Sequence, residues 1–321
     1  METNLDVSEN LHVFNETTLE KHVSIKETLL VTGDVSMESN LDISENLQVF
    51  NTTTLEKHVS INDTLLVTGD VSMESNLDVS DNLTVHGKSF LIDDVSMESN
   101  LYVSENLRVF NTTTLDKHVT INDILLVTGD VSMESNLDLS ENLHVFNQTT
   151  LDKHVTINES LLVNGDVSME SNLDLSENLT VHGNSFLIDD VSMGAHLRVL
   201  GDVSMESNLD LSENLHVFNT TTLEKQVIIN DTLLVTGDVS MESNLDLSEN
   251  LTVHGKSFLN DDVSMGAHLR VLGDVSMESN LDISKNVIVH EKSFLIDDVS
   301  MGAHLRVLGA VSYTHLRAHE T

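Results

Sequence analysis

Pairs of adjacent aspartates recur along the chain, at Asp93–Asp94, Asp189–Asp190, Asp261–Asp262 and Asp297–Asp298. Single aspartates follow glycine at Asp34, Asp70, Asp130, Asp166, Asp202, Asp238 and Asp274. Carboxylates gathered at a turn can bind calcium, a hard cation held by several oxygen ligands. The eight paired aspartates are therefore the metal candidates. The competing reading is a solvated turn. It is favoured because the glycine-aspartate nonapeptide of calcium β-rolls is missing and no loop supplies a full ligand set in sequence. No cofactor is expected.

Histidines also recur, at His22, His58, His118 and His154 in hexads like KHVSIN, and at His86, His182, His254 and His290 after LTV-type segments. Histidines stacked between chains can trap a metal. However, no His-x-His or His-Glu-x-x-His pair occurs, so duplicated corner residues are the expectation. Serine, histidine and aspartate are plentiful enough that a triad can be drawn anywhere, which is repetition and not a site. No Gly-x-Ser-x-Gly elbow or phosphate-cradling loop is present, and no enzyme is expected. The runs Thr52–Thr54, Thr112–Thr114 and Thr220–Thr222 are too widely spaced to predict a continuous threonine array. Asn15, Asn51, Asn62, Asn82 and Asn219 open Asn-x-Ser/Thr sequences, which become glycosylation sites only in a host with that pathway.

The elements that carry these residues follow from a repeat. All twelve methionines stand in one register, from Met1 and Met37 to Met277 and Met301, separated by multiples of twelve residues. Cut every six residues from Thr3, the chain stays in frame to Leu308. From Gly33 to Thr68 it reads GDVSME SNLDIS ENLQVF NTTTLE KHVSIN DTLLVT. The fifth position of each hexad is apolar (Met37, Ile43, Val49, Leu55, Ile61, Val67). The third is usually apolar, with Thr53 the exception. Apolar–polar–apolar is the period-two pattern of a short strand with one buried face. The Asn, Asp, Gly, Ser and Thr between favour a corner. Modules of 36, 24 and 12 residues tile the array, the shortest being DDVSMG AHLRVL. No helical periodicity appears.

The fold class expected is all-β: an elongated β-solenoid or β-helix of hexapeptide, twelve-residue repeats, formed by one chain or by an intertwined trimer. One hexad buries too little to offset the entropy of ordering it, so stability belongs to the stack. Modules in multiples of twelve favour coils closed by two hexads, giving a rod of roughly 120 Å. Closure in threes would give roughly 80 Å at about 4.8 Å per coil.

Composition agrees. There is no proline, so no strand loses a ladder donor, and no cysteine, which removes disulfides and thiolate metal sites. Asp plus Glu is 53 against 15 Lys plus Arg, a net charge of −38. Nucleic acid and anionic membranes, which need a basic stripe, are not expected partners. No run approaches transmembrane length. The charge keeps a β-rich rod soluble and suits a salty extracellular setting, where added salt screens the repulsion.

Both ends depart from a natural boundary. Met1 occupies the repeat position of Met37, so the true N-terminus is expected upstream. After Gly309 the repeat gives way, and residues 310–321 (AVSYTHLRAHET) resemble a translated transposase-type sequencing adapter. The array is therefore read as residues 1–309, a fragment open at both ends, with 310–321 a non-biological tail.

Segments such as SENLHVFNTTTLEK and NDTLLVTGDVSMESNLDLS resemble the shaft repeats of phage and marine algal-virus tail-fibre proteins. The resemblance covers Met1 to about Gly309. It implies a structural fibre shaft on a virion or outside the cell. It also implies a homotrimer, contact with other virion fibre proteins, and host attachment through a tip that this chain lacks. The alternative is a bacterial or secreted repeat adhesin, or a calcium-dependent matrix protein. The hexapeptide β-helix of acyltransferases is a second resemblance. Its small or acidic residue after the key aliphatic is mostly missing, with Ser44, Phe50, Asn62 and Thr68 standing there, and so is its catalytic histidine context.

Overall fold

Every strand is three residues long and occupies positions three to five of a hexad, in the computed structural model that describes residues 4–97 and 100–313. No helix occurs among the described residues. The period-two pattern explains the strands: in Val35–Met37, valine and methionine turn inward while Ser36 turns out. The inward side chains are buried as the hexad frame requires, Met169 at 1 % and Val181 at 0 % exposure.

Strands pair in parallel with the strand three hexads on. Leu5 lies beside Val23, Val23 beside Leu41, and Leu41 beside Val59. One coil is therefore 18 residues with three sides, and hydrogen bonds between neighbouring coils span that interval. The expectation of closure in twos is overturned. The physical reason lies in the corners. No described residue has a positive φ, glycines included. Tight hairpin reversals use positive φ; these corners only bend the chain, and three bends are needed to return it over its start.

The chain divides into two compact units, Met1–Leu162 and Val163–Thr321. In the first, face I stacks strands from Leu5–Val7 to Thr149–Leu151, face II from Leu11–Val13 to Val155–Ile157, and face III from Thr17–Leu19 to Leu143–Val145. In the second, face I runs from Val167–Met169 to Val311–Tyr313, face II from Leu173–Leu175 to Val299–Met301, and face III from Leu179–Val181 to Leu305–Val307. The adapter-like tail thus begins in a strand, Val311–Tyr313, paired with Ser293–Leu295; its remainder, Thr314–Thr321, lies outside the described residues. Backbone groups at strand ends also serve adjacent coils: Leu215 N–H donates to Thr232 O one coil on, and Phe218 N–H to Val199 O one coil back, both at 3.0 Å.

Close stacking limits what a corner can hold. A Cβ on Gly194 would lie 2.1 Å from the carbonyl oxygen of Ser176 in the coil before. Glycine is needed there for proximity, not for an unusual φ.

Inside face I of the second unit, Val203 and Met205 alternate with the smaller pair Thr221 and Leu223, followed by Val239 and Met241. Thr221 is fully buried, and its hydroxyl has no hydrogen-bond partner. Thr53, Thr113, Thr149, Ser89, Ser185, Ser257 and Ser293 repeat this arrangement. An unpaired buried hydroxyl costs stability, and valine has nearly the same shape without it. Thr221→Val should therefore stabilise the protein by about 1 kcal/mol, read as a higher urea midpoint. A lower midpoint would show that the hydroxyl has a partner.

Candidate functional site

The aspartates singled out as metal candidates lie at corners, where most of their described contacts are to the next coil. Asp190 Oδ1 accepts from Ser207 Oγ (2.6 Å), Asn208 N (3.1 Å) and Asn208 Nδ2 (3.0 Å). Asp262 accepts in the same way from Ser279 and Asn280. These donors hold both carboxyls below the usual carboxylate range, the serine hydroxyl foremost. Asp94 Oδ1 accepts from Thr112 N at 3.1 Å, and Asp93 Oδ1 from Asn111 Nδ2 at 3.3 Å. Asp93, Asp189, Asp261 and Asp297 each accept from the N–H of the aspartate that follows, Asp94, Asp190, Asp262 or Asp298. Among the described residues no cluster of three or more His, Asp or Glu is placed to hold a metal ion.

The same contact recurs throughout the array. The second residue of a hexad, Asn or Asp, accepts through Oδ1 from the backbone N–H 18 residues on: Asp34 from Thr52, Asn46 from Thr64, Asp130 from Gln148, Asn250 from His268. Each caps an amide that the three-residue strand leaves unpaired. The sequence signal was the frequent Asn or Asp at that position. Turn preference alone does not reveal its partner.

The histidines of the KHVSIN-type hexads lie beside aspartates of the next coil, not in a metal ladder. His22, His58 and His118 face Asp42, Asp78 and Asp138 of the next coil at 3.4, 3.5 and 3.2 Å. The threonine runs fall on different faces, Thr52–Thr54 on face III and Thr112–Thr114 and Thr220–Thr222 on face I, and serine stands between threonines of one column. On face I, Thr114, Ser132 and Thr150 make a continuous column of hydroxyl residues although threonine alone does not.

The three outward surfaces of Val163–Thr321 differ in chemistry. Face I presents Ser204, Thr222, Ser240 and Phe258, without charge in its strands. Face II presents Asp174, Asp210, Asp246 and Asp282 on alternate coils, with the pairs Asp189–Asp190, Asp261–Asp262 and Asp297–Asp298 at its leading corner. Face III presents Thr180, Arg198, His216, Leu234, Thr252, Arg270, Ile288 and Arg306 in one column. No carboxylate stands in that column. Its hexads also hold every described histidine of the unit: His182, His196, His216, His254, His268, His290 and His304. Sequence reading missed this because it did not have the length of the coil.

Shallow grooves follow face III. One of about 560 Å³ is walled by Arg198, His216 and Leu234, and another of about 370 Å³ by Thr252, Arg270 and Ile288. Phe218 anchors the first: the His216 ring stacks on it at 4.2 Å between centroids, and the Arg198 guanidinium lies 5.1 Å over it.

Compared with protein-family models, curated proteins and solved structures, the chain matches none.

Partial burial, and then the neighbouring Arg198 charge, push the His216 imidazole below its ordinary value of 6.5. Below pH 6.5 the unfolded chain therefore binds protons that folded His216 resists. Stability should rise as pH increases through the window between the lowered folded value and 6.5, and level off above it. His216→Gln should flatten that part of a urea-midpoint profile relative to the parent. An unchanged slope would assign the dependence to other histidines.

Proposed function

We propose that the chain is the shaft of a viral or phage tail fibre, spacing a host-binding tip from the particle. The observation that carries this reading is the repetition of the surface. Every coil has the same 18-residue outline, so a weak contact made by one module is available again in others. A stack of this kind supplies length and stiffness through neighbour-to-neighbour bonds. Of the eight metal candidates, Asp93, Asp94, Asp190 and Asp262 accept hydrogen bonds from the adjacent coil, which supports a structural role. The reading includes association of several copies and a location on a virion or outside the cell. Catalysis has no part in it.

The test is competition for adsorption. Purified residues 3–308, added in excess to candidate host cells, should leave virus or phage adsorption unchanged, because attachment belongs to the tip. Potent, saturable blocking would show that the repeat itself carries the receptor site, and would favour the repeat-adhesin alternative.

A further inference from the structure

We propose that face III of Val163–Thr321 docks on face II of a second copy of this chain, arginine column against aspartate column. This rests on the reading of the chain as a shaft built from several copies, and names the surfaces that meet.

The argument is one of charge and period. Arg198, Arg270 and Arg306 stand 72 and 36 residues apart in a single outward column, which is four coils and then two. Asp174, Asp246 and Asp282 stand in the column of face II at the same two intervals. At about 4.8 Å per coil, both series span about 19 and 10 Å. One axial shift between two rods therefore brings all three arginines opposite aspartates at once. The aspartates recur every second coil, so the match holds whichever way the second rod points.

Each column has reason to be covered. All three arginine side chains are exposed, and none has a carboxylate partner among the described residues. On face II, carboxylates about 10 Å apart repel one another, at a distance near the screening length of physiological salt. A neighbouring arginine column relieves that repulsion and leaves face III, with its half-buried Leu234 and Ile288, less open to water. Face I offers no equivalent, since its outward strand residues carry no charge. The match has one gap: Leu234 occupies the coil where a fourth arginine would meet a fourth aspartate.

The test uses the full chain in physiological salt, followed by sedimentation, with circular dichroism to confirm that each variant is folded. The parent should self-associate. Combined Arg198→Asp, Arg270→Asp and Arg306→Asp should weaken association by roughly tenfold or more, because attraction is replaced by repulsion at three places. Mixing that variant with one carrying Asp174→Arg, Asp210→Arg, Asp246→Arg and Asp282→Arg should restore it, whichever way the second rod points. Leu234→Arg should strengthen association of the parent. A parent that remains a monomer would overturn both this proposal and the multi-chain reading. Self-association undiminished by the triple arginine change would overturn the faces named here and leave a multi-chain shaft in place. Binding of a sulfated polysaccharide to a monomeric parent, lost in the arginine variant, would make face III a polyanion site and also overturn the proposal.

Discussion

Leu215→Asp is expected to unfold the coils around it, while His216→Asp, one residue away, leaves the chain folded. Leu215 has no exposed surface and stacks between Leu197 and Leu233 inside face III. Aspartate there removes the leucine contacts and places a carboxylate among aliphatic side chains. Losing the side chain alone costs about 2–5 kcal/mol, and the buried polar group adds to it. His216 points outward between Arg198 and Leu234, where a carboxylate stays in water and gains a cationic neighbour. Urea unfolding followed by circular dichroism should show a large drop in midpoint for the first variant and a small shift for the second. Because coils are held mainly by their neighbours, Leu215→Asp should also expose a protease-sensitive point near residue 215 before the rest of the unit is cut. Similar midpoints for the two variants would contradict the inward and outward assignment.

Removing Gly201–Thr236 should leave a folded chain shortened by about 10 Å, because 36 residues are two whole coils. Val239 then follows Leu200 in the register that Val203 held, and the outward columns stay on their own faces. Removing the 12 residues Asp189–Leu200 should also preserve folding, since the hexad frame is kept. It takes out two of the three sides of a coil, however, so every later residue moves to a different face. Arg270 and Arg306 then continue a column that begins with face I residues, and Arg198 is gone. Small-angle scattering should report the shortening in the first variant. If face III docks on face II, sedimentation should show association kept in the first and weakened in the second, where Arg198 is gone while Arg270 and Arg306 keep their spacing against Asp210, Asp246 and Asp282, which move with them. Loss of folding in the 36-residue deletion would mean that the coils are not interchangeable.

The hexads were legible in the sequence to the residue. Val35, Met37, Leu41 and Ile43 announced strands with one buried face, and all four are buried. Thr53 looked like an exception to the apolar third position, yet its side chain turns inward like the rest, because the pleat directs it there. The corner aspartates were legible as turn residues. That Asp190 reaches Ser207 and Asn208 was not, because those residues are neighbours only through the stack.

The difference is one of range. Whether a side chain points in or out is fixed within one strand by covalent geometry, and a run such as Val-Ser-Met carries that information locally. How many strands close a coil depends on how sharply the corners bend and on hydrogen bonds between residues 18 apart, which no single hexad contains. Twelve-residue modules suggested two sides, and the corners settle on three. That number decides which residues share a face. With two sides, Arg198, Arg270 and Arg306 would still align, since their spacings are multiples of twelve, but all the Asp174-type residues would fall on that same side. With three sides, the aspartates and arginines stand on separate faces. The sequence by itself determined strand, corner and core, and only the tertiary structure separated the aspartate column from the arginine column.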